Sequence, residues 1–264
     1  MGNIYIGTSG YSYSDWKGVF YPEDLKQQQF LPYYTDYFSF TELNFSYYRM
    51  PDPQMLARIA DKTPEDFRFS IKAYQSITHD RGADWRKDAE TFREAVLPLV
   101  ESQKIGAIVL QFPYSFHYTP PNRHYLSQLS RCLEGLPLAV EFRNTEWQRE
   151  DAYEGMRLRN LGYVITDAPD LPGLPQPITI TTSDIGYLRF HGRNKDNWWK
   201  GDSTTRYDYL YSEDELSQWI SRIAELIQNT SILFIAFNNH YKGQAAKNGL
   251  QLISLLKSHG IEGT

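Results

Sequence analysis

AIVLQF, at Ala107–Phe112, and LAVEFR, at Leu138–Arg143, are short apolar runs that each carry a polar residue near the end. Between them, residues from Asn122 to Leu133 repeat apolar side chains at helical spacing, and Asn122 is of a type that caps helices. Strands joined by a helix lie parallel, because a parallel connection needs a crossover that returns to the starting edge of the sheet. This segment therefore predicts a strand–helix–strand unit and an α/β fold.

Six further strand-like runs continue the alternation along the chain. They are Ile4–Gly7, Phe40–Asn44, Phe67–Lys72, Tyr163–Thr166, Tyr187–His191 and Leu233–Asn238. Helix starts are indicated at Asp52-Pro53 and at the capping box Ser212-x-x-Glu215. Eight strands is the number at which side chains fill a closed sheet. We therefore predict a single (β/α)8 TIM-type barrel over residues 1–264. An open doubly wound sheet is the alternative, although no strand–GxGxxG–helix unit occurs.

Proline interrupts the helical pattern at several places. Ala168–Pro177 (APDLPGLPQP) carries four prolines and cannot hold a normal helix, so the sixth crossover should be a loop. Pro32 and Pro98 should bend or split the first and third helices.

Composition limits the classes of protein and partner. The 27 basic and 32 acidic residues give a net charge of −5 without long charged blocks, which argues against duplex nucleic acid as a partner. No apolar run is long enough to span a membrane, and the N-terminus lacks the features of a secretion signal. The single Cys132 cannot form an internal disulfide. We expect a cytoplasmic protein with no membrane segment, and we recognise no motif for a cofactor.

Polar residues gather where the predicted strands end, which in this architecture is the mouth that carries the chemistry. Several form i, i+2 pairs on one strand face, such as Glu42/Asn44, Glu141/Arg143 and Arg189/His191. The candidate catalytic residues are Glu42, Lys72, Glu141 and His191. The candidate substrate-binding residues are Ser9, Tyr11, Asn44, Tyr48, Gln111, Arg143, Arg189, Arg193, Asn238 and Asn239.

Two loops add to the predicted mouth, and one structural alternative stays open. Gly7–Gly10, followed by Tyr11, has small residues that allow a ligand to approach the backbone. The basic and aromatic segment His191–Lys200 is a candidate lid or anion contact. Alternatively, the arginines neutralise the glutamates in a buried ion-pair network without a catalytic role.

Seven motifs, in order over nearly the whole chain, carry a family resemblance: IGTSGYSYSDWKGVFYP, TELNFSYYRMP, FSIKAYQSITH, VLQFP, AVEFRNTEW, YLRFHGR and FNNHYKGQAAKNG. The sequence resembles the domain-of-unknown-function 72 family, also called the YecE-like family. The resemblance implies a TIM-type barrel and no established activity. Asn144 stands where members often carry His, which argues against acid–base chemistry there, and Tyr114 replaces a usual Pro. The mouth residues that match the family's motifs are Glu42, Asn44, Tyr48, Lys72, Glu141, Arg143, Arg189, His191, Asn238 and Asn239.

Three functions fit the predicted mouth. The leading one is an enzyme of the hydrolase or isomerase type that acts on a small polar, anionic substrate, such as a carbohydrate or sugar phosphate. In it, Glu42 and Glu141 divide the acid and base roles. The second is a divalent-metal-dependent isomerase or phosphodiesterase that uses Glu141, Asp167 and His191. The third is a non-catalytic protein that binds a glycan or single-stranded nucleic acid through aromatic rings.

Overall fold

Eight parallel strands close into a barrel in chain order in the computed structural model, which describes residues 2–202 and 204–261. The strands are β1 (Asn3–Ser9), β2 (Phe40–Leu43), β3 (Arg68–Lys72), β4 (Ile105–Gln111), β5 (Leu138–Glu141), β6 (Gly162–Asp167), β7 (Ile185–Phe190) and β8 (Ile232–Phe237). β1 closes the barrel because it pairs with β2 through Gly7 and Phe40 and with β8 through Ile4 and Leu233. The predicted (β/α)8 TIM-type barrel is confirmed.

Helices cover the outside of the barrel. The α-helices of the described residues are α1 (Phe30–Thr35), α2 (Phe45–Tyr48), α3 (Pro53–Ala60), α4 (Trp85–Ala95), α5 (Leu97–Glu101), α6 (Pro120–Cys132), α7 (Glu150–Arg157), α8 (Glu213–Ser217), α9 (Ile220–Gln228) and α10 (Gln244–Ser258). Residues 168–184, all of which are described, contain no helix, so the predicted sixth crossover loop is confirmed. No helix among the described residues is long and apolar enough to cross a membrane.

The predicted helix starts are confirmed in two of three cases. Asp52 accepts a hydrogen bond from the Gln54 backbone at 3.0 Å, and Ser212 forms the capping box that begins α8. The third prediction, Asn122, is wrong. Thr119 caps α6 instead. The two prolines after it fit the first turn of a helix, so α6 begins nearer the N-terminus than predicted.

The two other prolines differ in effect because their positions differ. Pro98 stands at the boundary between α4 and α5, so the predicted split is confirmed. Pro32 lies in the first turn of α1, where its missing N–H costs no intrahelical hydrogen bond, and the helix continues to Thr35.

Alternation along the strands divides the core into two layers. Inside the barrel, the largest buried rings come from Tyr5, Phe40, Tyr187 and Phe234. Outward-facing apolar residues such as Leu188 pack against the helices. Because inward positions recur every second residue, the polar residues two positions beyond this inner core point into the barrel mouth.

Candidate functional site

A buried ion-pair network lies directly above the aromatic core of the barrel. Arg189, on β7, donates to Glu42 on β2 at 2.6 Å and also to Glu141 on β5. Tyr187, the inward-facing residue before Arg189 on β7, donates its hydroxyl to Glu42 at 2.9 Å. Glu141 also accepts from Arg143 at 2.5 Å. All four charged side chains are thereby paired, as in the structural alternative raised from the sequence.

The electrostatics of this network fix its protonation. Burial raises the pKa of Glu141, but Arg143 and Arg189 outweigh it and hold that pKa well below its usual value. Burial, with help from Arg143, lowers the pKa of His191 to about 3. His191 is therefore neutral at neutral pH, and the carboxylate of Glu141 is ionised. A group so firmly ionised is suited to holding arginines in place and poorly suited to exchanging protons near neutrality.

Lys72, at the end of β3, is the cation that the network does not pair. Its Nζ lies 4.2 Å from the centroid of the Tyr47 ring and makes no hydrogen bond or ion pair to any described residue. Burial, together with the positive charge of Arg189, lowers the pKa of Lys72 to about 7. At neutral pH, Lys72 can therefore both accept and donate a proton.

An open cavity of about 370 Å³ lies at the mouth over the strand ends of β3, β4 and β5. Its described polar lining includes Lys72, Gln111 and Arg143, and neither Glu42 nor Glu141 is part of that lining. Most of the walls are aromatic or basic, and Asp202 adds one carboxylate at the edge; the remaining lining residues are Tyr47, Tyr48, His79, Pro113, Tyr114, Leu174, Trp198, Trp199, Gly201, Arg206 and Tyr207. The cavity thus combines a cationic floor with walls made largely of aromatic side chains. This combination suits a small anion that also has an apolar or sugar face.

Tyr207 is a site residue that the strand pattern did not indicate. It lies on the long loop after β7, with its ring centroid 5.9 Å from that of His191. Burial raises the pKa of Tyr207, but Arg143 and Arg189 outweigh burial and lower it below the usual value. Arg143 also stacks on Trp198 at 5.4 Å. Trp198, from the segment that the sequence marked as a candidate lid, and Tyr207, further along the same loop, therefore bring an indole and a phenol to the cationic floor.

The remaining predicted binding residues are distributed around the mouth. Ser9 and Asn238 are buried at the ends of β1 and β8. Gln111 donates to the carbonyl of the next residue at 3.1 Å. Tyr48 is 70% exposed at the rim, whereas Tyr11 is partly buried and packs against the apolar residues between the barrel and the helices.

Two predicted binding residues lie outside the cluster. Arg193 donates to both oxygens of Asp167, at 2.8 and 2.6 Å, on the outer side of the barrel. Asn239 donates to the Tyr209 carbonyl at 2.8 Å and to Asn248 on α10 at 2.9 Å. Both residues tie the loop after β7 to the barrel, and their contacts give them an anchoring role.

The three residues of the metal hypothesis do not converge. Asp167 accepts from Arg193, from the Tyr211 hydroxyl at 2.8 Å and from Trp219 at 2.9 Å, all in the outer layer. Glu141 and His191 face inward, with 3.3 Å between Oε1 and Nε2. Among residues 2–202 and 204–261, no group of three or more His, Cys, Asp or Glu side chains could hold a metal ion.

The fold and the mouth define a TIM-type barrel with a buried ion-pair network beneath a cation-lined cavity. The chain belongs to the family described as "Protein of unknown function DUF72", whose model matches residues 5–262, so the resemblance seen in the motifs is confirmed. It is 32% identical over 269 residues to the UPF0759 protein YunF of Bacillus subtilis, covering 96% of this chain and 94% of that protein.

Two solved structures share the fold over nearly their whole length. A DUF72 family protein from Thermotoga maritima is 43% identical, with a TM-score of 0.90 over 97% of this chain and 99% of that chain. A DUF72 family protein from Enterococcus faecalis is 27% identical, with a TM-score of 0.86 over 96% of this chain and 95% of that one. These likenesses establish the family and the fold, and the family's description assigns no activity.

Proposed function

We propose that this protein is an enzyme that binds a small polar anion of the carbohydrate or sugar-phosphate class at the barrel mouth and transfers a proton to or from it. The observation that carries the proposal is Lys72, which faces the cavity beside Arg143 without a hydrogen bond or ion pair to any described residue. Its pKa of about 7 suits a general acid or base at neutral pH.

Arg143 supplies the anion contact in this proposal. Glu141 holds the Arg143 Nε at 2.5 Å, and Arg143 lines the cavity. A guanidinium fixed in this way matches the fork geometry of phosphate and carboxylate groups. Glu42 and Glu141 then position the arginines, and Lys72 takes over the proton transfer for which the sequence had suggested the glutamates.

Proton transfer can be tested without knowing the reaction. Wild-type protein would be incubated in D2O with a panel of sugar phosphates and hydroxy acids, and NMR would detect exchange of carbon-bound hydrogen or any new product. Lys72→Met should lower the rate by about 100-fold or more, because general acid–base groups contribute at least that factor. Lys87→Met, on the exposed face of α4, is the matched control and should retain the full rate.

Three outcomes are informative. Activity that survives in Lys72→Met would contradict the proposed role of Lys72 in proton transfer. Binding of a panel compound without exchange or conversion would favour a non-catalytic binding protein. Loss of activity only in Lys72→Met would support the proposal.

A further inference from the structure

A second group of polar atoms at the mouth is used neither by the ion-pair network nor by Lys72. Ser9 is completely buried, yet its Oγ has no hydrogen-bond partner among the described residues, whereas Nε2 of the equally buried His191 faces Glu141 Oε1 at 3.3 Å. Like Ser9 Oγ, the buried Oδ1 of Asn44, which follows the inward-facing Glu42 by two residues, has no such partner among the described residues. Buried polar atoms normally find partners, because an unsatisfied one costs free energy, so a cluster of them points to a ligand contact.

The strand register places Ser9 and Asn44 at the ends of neighbouring strands, because Ser9 pairs with Glu42, two residues before Asn44. Thr8 on β1 and Phe190 on β7 both lie opposite Phe237 on β8. One residue further along each strand, Ser9 and His191 therefore flank Asn238 on its two sides. All three point inward, because they continue the alternation of the inner-core residues below them.

The chemistry of this group is neutral and mixed. Asn238 Nδ2 lies 3.0 Å from His191 Nδ1. Because an amide nitrogen can only donate, Nδ1 accepts, and the ring proton lies on Nε2. That proton faces Glu141 Oε1 at 3.3 Å, so the group offers a ligand an acceptor from Asn44 and both a donor and an acceptor from the hydroxyl of Ser9. A ligand hydroxyl also donates and accepts, whereas an anion would meet the buried carboxylates of the network nearby.

We propose that Ser9 and Asn44 form a hydroxyl-binding subsite beside His191, and that the substrate is a polyhydroxylated phosphate with its phosphate against Lys72 and Arg143. The anionic end of this assignment rests on the proposed function. Aromatic rings border the subsite, because the Tyr13 hydroxyl donates to the Ser9 carbonyl at 2.7 Å and Tyr207 lies beside His191. Such rings can pack against the apolar face of a sugar.

Calorimetric titration can measure the contributions of the hydroxyl groups and of the phosphate to binding affinity separately. Ribose 5-phosphate, fructose 6-phosphate and glycerol 3-phosphate carry hydroxyl groups, and butyl phosphate carries the same phosphate without them. At least one hydroxylated probe should bind wild-type protein about 10-fold more tightly than butyl phosphate, since two or three hydrogen bonds distinguish them. In Ser9→Ala, that preference should fall by about 5-fold while butyl phosphate binds as before. Asn44→Ala, at a partly exposed residue, provides a second deletion.

Ser130→Ala is the matched control, because the Ser130 hydroxyl is buried but already donates to Ser127 within α6. It should leave the binding of every probe unchanged. Equal binding of all four phosphates to wild-type protein, or an unchanged preference in both deletions, would overturn the subsite. If no phosphate binds, the anionic part of the proposed function fails. The subsite is then tested with neutral ribitol: a thermal shift that Ser9→Ala abolishes would support it, and no shift would overturn it.

Discussion

Arg189 Nη2 lies 2.6 Å from Glu42 Oε1 at the centre of the barrel, and the two residues are 147 positions apart in the chain. The same guanidinium also bonds Glu141, so one cation pairs two carboxylates that are both fully buried. The group therefore joins β2, β5 and β7 across the interior of the barrel. Its charges are stable only together, since water cannot replace a lost partner there.

Arg189→Met should lower the free energy of unfolding by about 3–5 kcal/mol, because it leaves two buried carboxylates without their shared cation. Urea unfolding followed by circular dichroism would measure the loss. Arg157→Met is the control: Arg157 pairs with Glu150 at 2.6 Å on the exposed face of α7, and such a pair is worth about 1 kcal/mol or less. Similar small losses in both variants would contradict a stabilising role for the network.

Asp167 is expected to anchor the loop after β7. It accepts two hydrogen bonds from Arg193 and one each from Tyr211 and Trp219. Asp167→Asn turns one acceptor oxygen into a donor that faces other donors, so we expect a loss of about 2 kcal/mol in the free energy of unfolding. Amide hydrogen exchange should also become faster across residues 192–202 and 204–211. In the control Asp208→Asn, an exposed carboxylate that accepts from Gln244 is changed, and a smaller effect is expected. Unchanged exchange in Asp167→Asn would show that the loop does not depend on this anchor.

The sequence was sufficient for the barrel and for the inward strand ends, because alternation decides which face each residue takes. The pairs Glu42/Asn44 and Arg189/His191 were found in this way. The same rule, applied strictly, also explains Asp167, which lies one residue beyond the inward Thr166 and so faces outward.

The positions of other residues could not be predicted from any local sequence pattern. Arg193 follows His191 by two positions, but β7 ends at Phe190, and Gly192 takes a φ of +84° that breaks the alternation. Tyr207 reaches the site from a loop without periodicity. The pairing of both glutamates with a single arginine depends on contacts between distant strands, which sequence spacing does not encode.

Tyr207 should ionise at a lower pH than an ordinary phenol, because Arg143 and Arg189 stabilise the phenolate more than burial disfavours it. A pH titration of the near-ultraviolet phenolate absorbance would show an early step that Tyr207→Phe removes. Tyr153→Phe is the control, since burial raises the pKa of Tyr153 to about 12 and its removal should leave the early step in place. An early step that persists in Tyr207→Phe would assign it to another tyrosine.

Lys72 makes the stability of the protein depend on pH in a defined window. The pKa of Lys72 is about 7 in the folded protein and 10.5 as its ordinary value, so below about pH 7 both states carry the proton and the folded state bears the full cost of a desolvated cation. Between about pH 7 and pH 10.5 the unfolded state binds more protons, so the contribution of this residue to stability becomes more favourable as pH rises.

Lys72→Met removes that cost and its pH dependence. The variant should exceed wild type in unfolding free energy by about 2 kcal/mol below pH 7, a value that allows for the partial exposure of the side chain. The excess should shrink steadily as pH rises from about 7 to about 10, because wild-type Lys72 then becomes neutral in the fold. Urea unfolding across this range, with exposed Lys87→Met as the control, would measure the difference. A constant difference between Lys72→Met and wild type would place the pKa of Lys72 near its ordinary value, and Lys72 would then be protonated and unable to act as a base at neutral pH.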